Sequence, residues 1–170
     1  NDLPAAALEE SRAVNQKMIE QEIGDVPQTL KNVYNALCGL ACHDLSAMRE
    51  LIGMPRRVAS ATQWNDGRFL LVTFEYDGFY ATYEMVFDAQ GRFDAHMEVF
   101  GQTKQIKVQY DTPYIRHLPT TLTISETKDD EFKESIIRPT FKDPYTVELE
   151  YFYDAVTKGL TPKTSPEDHK

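Results

Sequence analysis

The spacing of the apolar residues changes near residue 53, from helical to extended. Before that point, residues 27–52 place apolar side chains at steps of three and four, which is typical of an amphipathic helix. Gly53 and Pro55 are the signals that end it. A more polar helix with only a thin apolar stripe is predicted over residues 5–22, lying on the surface. The apolar positions of the longer helix are Leu30, Val33, Leu37, Leu40, Ala41, Leu45, Met48, Leu51 and Ile52.

After Gly53 the apolar and polar residues alternate, as they do in half-buried strands. Asp77-Gly78 is a strong hairpin signal between two of these strands. A last helix is predicted over residues 145–158. The predicted strands are residues 57–64, 68–76, 79–87, 92–100, 104–110, 121–127 and 132–138. Helices, then an antiparallel meander, then a helix predict an α+β fold, with a largely antiparallel open sheet and helices packed on one face.

Composition excludes several classes of function. The chain has 170 residues, 41% of them hydrophobic, and a formal net charge of −9. That acidity argues against nucleic acid or an anionic membrane as a partner. No apolar run approaches the roughly 20 residues that span a bilayer. Cys38 and Cys42 lie one helical turn apart, which suits neither a useful disulfide nor a metal site, and predicts free thiols in a reducing cytoplasm.

Both ends of the chain look cut. Residue 1 is Asn, and near the other end Ser165 and Pro166 suit the N-cap and first position of a further helix. We therefore expect a piece of a longer polypeptide.

Three motifs carry a resemblance to a known family. The first is a helix bearing His43 that runs into Gly53-Met54-Pro55 and a strand. The others are Glu98-Val99-Phe100-Gly101 and the segment 159–168, Gly-Leu-Thr-Pro-Lys-Thr-Ser-Pro-Glu-Asp. Together they resemble the C-terminal domain of the glucose-fructose oxidoreductase / inositol dehydrogenase (Gfo/Idh/MocA) family. The resemblance implies a dihydrodipicolinate-reductase-like C-terminal domain over residues 29–170, preceded by a helical insertion over residues 1–28.

The resemblance also implies a function. This domain would bind the substrate and mediate oligomerisation in an NAD(P)-dependent oxidoreductase that acts on a sugar, cyclitol or related polyol. Family members hold NAD or NADP on a Rossmann domain that precedes this one. Here the eight glycines never form Gly-x-Gly-x-x-Gly, and no Glu-Lys-Pro occurs. We expect this chain alone to bind neither cofactor nor any metal, and to be inactive.

His43 is the candidate catalytic residue that the resemblance implies. Oxidation of a carbinol also removes the hydroxyl proton, and an imidazole can accept a proton near neutral pH. The family often has an aspartate four residues earlier, where this chain has Gly39, so the carboxylate that would orient the imidazole is missing. Asp44 lies about 100° round the helix and cannot simply replace it. The alternative is a structural histidine.

Two groups of residues are candidates for substrate binding. Arg92, Asp94 and His96 alternate along a predicted strand, where a solvated sheet face is the alternative. Tyr114, Arg116 and His117 lie in the long loop 111–119, where a plain crossover is the alternative. All six side chains suit sugar hydroxyls.

Two other functions remain open from the sequence. One is a free-standing NTF2-like α+β ligand-binding or isomerase module, and the other is a purely structural dimerisation domain. The outer sheet face mixes aromatic and polar residues, as in Tyr80, Thr82, Glu84 and Val86, which predicts a homo-oligomer formed through the sheet.

Overall fold

A computed structural model describes residues 4–163 of the chain. These residues divide into two compact units, one up to Ala89 and one from Gln90 onward, and each is described by itself.

The first unit begins with four consecutive helical segments. Helix α1 spans Ala5–Ile23, α2 spans Gln28–Ala36, a π-helical segment spans Leu37–Ala41, and α3 spans Cys42–Ile52. The prediction of helix over residues 5–22 and 27–52 is therefore confirmed. It missed the π-helical turn in the middle of the second stretch. Gly53, with φ of +80°, ends α3 in a backbone conformation that glycine adopts without strain.

An antiparallel sheet of three strands completes the first unit. Strands β1 (Arg57–Trp64), β2 (Phe69–Glu75) and β3 (Tyr80–Val86) pair in chain order. The predicted Asp77-Gly78 hairpin joins β2 to β3, and Tyr76 N–H donates across it to Phe79 O at 3.0 Å.

The core of the first unit lies between one face of this sheet and the helices. Ala41 in the π-helical segment has no exposed surface, and it packs with four buried side chains of β2 and β3. Those four are Leu70, Val72, Tyr83 and Met85, and the helical side chains packed against them are Val33, Ala36, Leu37 and Leu45. Helices on one sheet face, as predicted, follow from this apolar surface.

Helix α1 is joined to α2 by an ion pair and by a hydrogen bond that Asn15 Nδ2 donates to Asn35 Oδ1 at 3.4 Å. Ile19 is buried, and Lys31 Nζ lies 2.8 Å from Glu20 Oε1. Lys31 is itself buried, so its ammonium needs this partner to offset the loss of water. The rest of α1 is exposed, as its thin apolar stripe predicts.

The second unit is a four-stranded antiparallel sheet and a helix. Strands β4 (Ala95–Phe100), β5 (Lys104–Tyr110), β6 (Thr121–Lys128) and β7 (Glu131–Ile137) pair in chain order. Helix α4 spans Pro144–Lys158. Asp143 caps it by accepting from Thr146 N–H at 3.0 Å, and Gly159 ends it in the left-handed conformation.

The α+β class and the antiparallel pairing are confirmed, but the seven predicted strands form two sheets. Within each sheet, strands that follow one another in the chain pair, whereas β3 and β4, which residues 87–94 separate, do not pair. Gly91 and the polar residues around it suit an irregular connection better than the tight turn that was predicted. The predicted domain boundary at residues 28 and 29 stays a prediction. The predicted helix start at Ser165 lies outside the described residues.

None of the helices in residues 4–163 combines the length and the apolar composition that crossing a membrane requires.

We expect Gly67→Ala to lower the free energy of unfolding by about 2 kcal/mol or more. Gly67 has a φ of +79°, and a Cβ placed there would lie 2.8 Å from Thr29 O. The variant would thus combine left-handed strain with a backbone clash. Urea unfolding followed by the fluorescence of Trp64, the single tryptophan, measures the effect on the first unit.

Gly78→Ala is the matched control. Gly78 has a φ of +87° but no atom within 4 Å of the added Cβ, so we expect a cost of only about 1 kcal/mol. Equal costs in the two variants would contradict the tight packing at Gly67.

Candidate functional site

The candidate residues fall in both units. His43 belongs to the first unit, and the six predicted substrate-binding residues belong to the second.

His43 is the second residue of α3 and is exposed. No hydrogen bond joins its imidazole to another residue of the described chain. Gly39, four residues earlier, lies in the π-helical segment, and a Cβ added there would meet nothing within 4 Å. His43 is therefore accessible to a ligand but is not oriented by a neighbouring carboxylate.

Asp44 forms a hydrogen bond with the sheet, which the sequence did not reveal. Its side chain faces the sheet, and Oδ2 accepts a hydrogen bond from the Tyr83 hydroxyl at 3.2 Å. Burial raises the pKa of the Asp44 carboxyl, against the opposing effects of Tyr83 and His43. Burial and the nearby carboxylate also raise the pKa of Tyr83. Because Asp44 is engaged with Tyr83, it does not orient His43.

Arg92, Asp94 and His96 lie close together, with Asp94 at the centre. Arg92 Nη2 lies 3.1 Å from Asp94 Oδ2, and His96 Nδ1 lies 3.5 Å from Asp94 Oδ1. Gln109, which sequence reasoning missed, donates from Nε2 to Asp94 Oδ1 at 3.1 Å. Cross-strand pairing of His96 with Gln109 brings this amide to the cluster. We call these four residues the Asp94 cluster.

The electrostatics of the cluster hold Asp94 ionised. The pKa of its carboxyl is lowered, first by the Gln109 hydrogen bond and then by the charges and hydrogen bonding of Arg92 and His96, against some desolvation. One detail of the prediction is corrected. Strand β4 begins at Ala95, so Arg92 and Asp94 lie in the connection before the strand, where the ladder no longer fixes them.

The predicted loop residues lie at the same end of the second sheet. Ala95 pairs with Tyr110, and the loop leaves β5 directly after Tyr110. Tyr114 is 82% exposed, and His117 has a φ of +61°, which few non-glycine residues adopt. Arg116 is also exposed.

Arg116 contributes to the electrostatics at the start of α4. The pKa of Asp143 is lowered chiefly by hydrogen bonds from Thr146, with a smaller contribution from the Arg116 guanidinium. This end of the sheet thus gathers two arginines, two histidines and a carboxylate that accepts hydrogen bonds. Such groups bind hydroxyls and small anions.

The residues present do not fit a metal ion or a dinucleotide. Across residues 4–163, no group of His, Cys, Asp and Glu side chains is placed to hold a metal. Every strand pair in this part of the chain is antiparallel, so it lacks the strand–glycine loop–helix unit that cradles a pyrophosphate. The expectation that this chain alone binds neither cofactor nor any metal stays a prediction.

Comparison with known proteins gives a similarity of fold. Neither a family model nor a curated protein matches the sequence. Among solved structures, yvaA from Bacillus subtilis, a protein provisionally named an oxidoreductase, matches with a TM-score of 0.57 and 13% identity. The match covers 78% of this chain and 45% of yvaA, so this chain corresponds to less than half of that protein. At this identity the similarity establishes the fold alone.

We expect Asp44→Asn to remove one contribution to the pH dependence of stability. A carboxyl whose pKa is raised by folding binds its proton more tightly in the fold, so wild-type stability falls as pH rises through the window between the ordinary and the raised pKa. The variant lacks this loss, so its free energy of unfolding should increase relative to that of the wild type as pH rises. Urea unfolding between about pH 3 and about pH 7 measures the difference.

Asp94→Asn is the control with the opposite sign. The lowered pKa of Asp94 stabilises the fold above the ordinary carboxyl pKa, and this contribution disappears as pH falls through the lowered value. The free energy of unfolding of the wild type should therefore increase relative to that of this variant as pH rises. Parallel curves for Asp44→Asn and the wild type would rule out the burial effect at Asp44.

Proposed function

We propose that this chain is the substrate-binding and oligomerisation part of a cytoplasmic, NAD(P)-dependent oxidoreductase of the Gfo/Idh/MocA type, acting on a sugar, cyclitol or related polyol. The observation that carries the proposal is the backbone similarity to yvaA over most of the chain. His43 in the first unit and the Asp94 cluster in the second each offer polar groups of the kind that such a domain uses.

Recognition of hydroxyls is the role of the second unit. Asp94 is held ionised and can accept hydrogen bonds from substrate hydroxyls, while Arg92 and Arg116 can donate to substrate oxygens. Tyr114 and His117 are exposed in the adjoining loop, where they can contact a bound polyol. Positioning on several hydrogen bonds favours substrates with several hydroxyls.

Removal of the hydroxyl proton is the role of His43. Its imidazole is exposed and makes no hydrogen bond within the described chain, so an electron pair on nitrogen is available to a substrate hydroxyl. Asp44 does not align the ring, because it accepts from Tyr83. The nicotinamide, which accepts the hydride, is held outside this chain in the proposal.

We expect His43→Ala to lower kcat by about 10²-fold in the full-length oxidoreductase, the usual loss for a general base. His117→Ala is the matched control, because a loop residue that only contacts substrate should raise KM and leave kcat nearly unchanged. Initial rates of NAD(P) reduction with a panel of sugars, cyclitols and polyols give both constants.

Two outcomes would contradict this proposal. Near-normal turnover by His43→Ala would leave the histidine a structural role. The lack of NAD(P)-dependent oxidation of any polyol, with ligand binding intact, would favour an NTF2-like binding module, and the lack of both would favour a purely structural dimerisation domain.

The outer face of the first sheet supports the oligomerisation part of the proposal. The register places Trp64, Phe69 and Val86 in one row across the three strands at one end of this face. The Trp64 and Phe69 rings stack with centroids 5.3 Å apart. Trp64 and Val86 remain 49% and 52% exposed, and Tyr80, at the opposite end, is 65% exposed. Aromatic and aliphatic groups among threonines and charges compose a typical subunit interface.

We expect the chain to sediment as a dimer at micromolar concentration, and Val86→Lys to shift it toward monomer. In two-fold symmetry each copy contributes the same patch, so one substitution introduces two buried charges. Tyr114→Lys, on a loop of the second unit, is the control and should leave the dimer intact. A wild-type monomer, or equal weakening by both variants, would argue against association through this face.

A further inference from the structure

A groove in the first unit has a lining that neither His43 nor the Asp94 cluster shares. It runs between the helical stretch and the turn that joins β1 to β2, with a volume of about 730 Å³. That volume is in the range of small-molecule sites. The lining residues that matter here are Asn35, Gly39, Asn65, Asp66, Arg68 and Phe87.

The turn that forms one wall is held in an uncommon conformation. Asn65, Asp66 and Gly67 have φ angles of +53°, +57° and +79°. Arg68 N–H closes the turn by donating to Asn65 O at 3.2 Å. Asparagine and aspartate adopt the left-handed region more readily than other non-glycine residues, and contacts with the rest of the unit restrain this turn further.

Helix α2 provides that restraint. Asn32 Nδ2 donates to Asp66 O at 3.1 Å, across to the turn. Gly67 is buried directly against the backbone of Thr29. These contacts fix the backbone of the turn against helix α2, and they thereby restrict where its polar side chains can lie.

The opposite wall is open and partly apolar. Gly39 lies in the π-helical segment, and a Cβ placed there would meet nothing within 4 Å, so the groove is not filled by the protein. On the side of the turn, Phe87 N–H donates to Arg68 O at 2.9 Å, and its ring, 41% exposed, offers an apolar surface to a ligand.

The polar side chains of the turn lack internal partners. Those of Asn65, Asp66 and Arg68 make no hydrogen bond or ion pair with any other residue in 4–163. A guanidinium binds a carboxylate through two parallel hydrogen bonds. Asp66 and the amides of Asn35 and Asn65 suit hydroxyls, and the Asp66 charge disfavours a doubly charged phosphate.

We propose that this groove binds a small polyhydroxylated carboxylate, a sugar acid, with its carboxylate on Arg68 and its hydroxyls on Asp66 and the two asparagines. The inference concerns binding by the first unit and does not rest on the oxidoreductase proposal.

Calorimetric titration of the chain with D-gluconate tests the site. We expect a Kd of about 1 mM or below, and binding at least about 10-fold weaker for D-glucitol, which has the same carbon skeleton without the charge. Arg68→Gln should remove the difference between the two ligands. Inorganic phosphate should not compete.

Substitutions at Gly39 test the place of binding. Gly39→Leu should fill the groove and abolish gluconate binding, whereas Gly39→Ala, the matched control, should leave it unchanged. Both replace a helical glycine by a better helix former, so neither should lose stability. Their unfolding curves check this directly.

Three results would overturn the proposal. They are equal affinity for gluconate and glucitol, unchanged binding by Gly39→Leu, and loss of binding on Arg92→Gln instead of Arg68→Gln. The last would place the ligand at the Asp94 cluster, so it would support the proposed function while excluding this groove.

Discussion

The packing of a helix backbone against β2 and β3 is the constraint on which the first unit depends. Ala41 has no exposed surface, and it lies where the helical stretch meets Val72 and Tyr83. A residue this small permits close approach of helix and sheet. That approach brings Asp44 within hydrogen-bonding distance of the Tyr83 hydroxyl, so a carboxylate enters a partly apolar layer and its pKa rises. Packing thus settles what Asp44 does, and it leaves His43 facing outward.

The π-helical segment follows from the same constraint. Val33, Leu37, Ala41 and Leu45 are spaced by four, and all of them pack in the core cluster. Over those twelve steps a regular helix would rotate Leu45 by about 120° away from Val33. A turn with wider bonds, such as Cys42 N–H to Leu37 O, reduces that rotation. The single π turn therefore keeps both flanking helices on the sheet with the same face, and Gly39, inside it, opens the groove.

Most of the secondary structure could be predicted from the local sequence pattern, whereas contacts that depend on strand pairing could not. The helices, the strand limits to within a few residues and the Asp77-Gly78 hairpin could be predicted because each depends on near neighbours. Alternation also placed Asp94 and His96 on one side, and they do meet. Gln109 could not be predicted, since only the pairing of β4 with β5 brings it there. The π turn was missed because apolar residues recur at steps of three and four both in a regular α-helix and in a helix that contains one extra residue. The division into two sheets was missed because Gln90-Gly91 resembles a tight turn.

The second unit leaves many of its apolar side chains exposed. No residue from 90 to 163 is buried in the chain. Helix α4 has an apolar stripe at helical spacing, Tyr145, Leu149, Phe152 and Val156, which on a helix lie within about 60° of one another. Each of these side chains is between 47% and 66% exposed. Stripes of this kind normally face a core, and burial stabilises each large apolar side chain by about 1.5–3 kcal/mol. Much of the apolar surface of this stripe is therefore still in contact with water, and burying it against a partner would be favourable. Apolar surface of this kind is stable when a partner surface covers it, and it promotes aggregation when it stays in water.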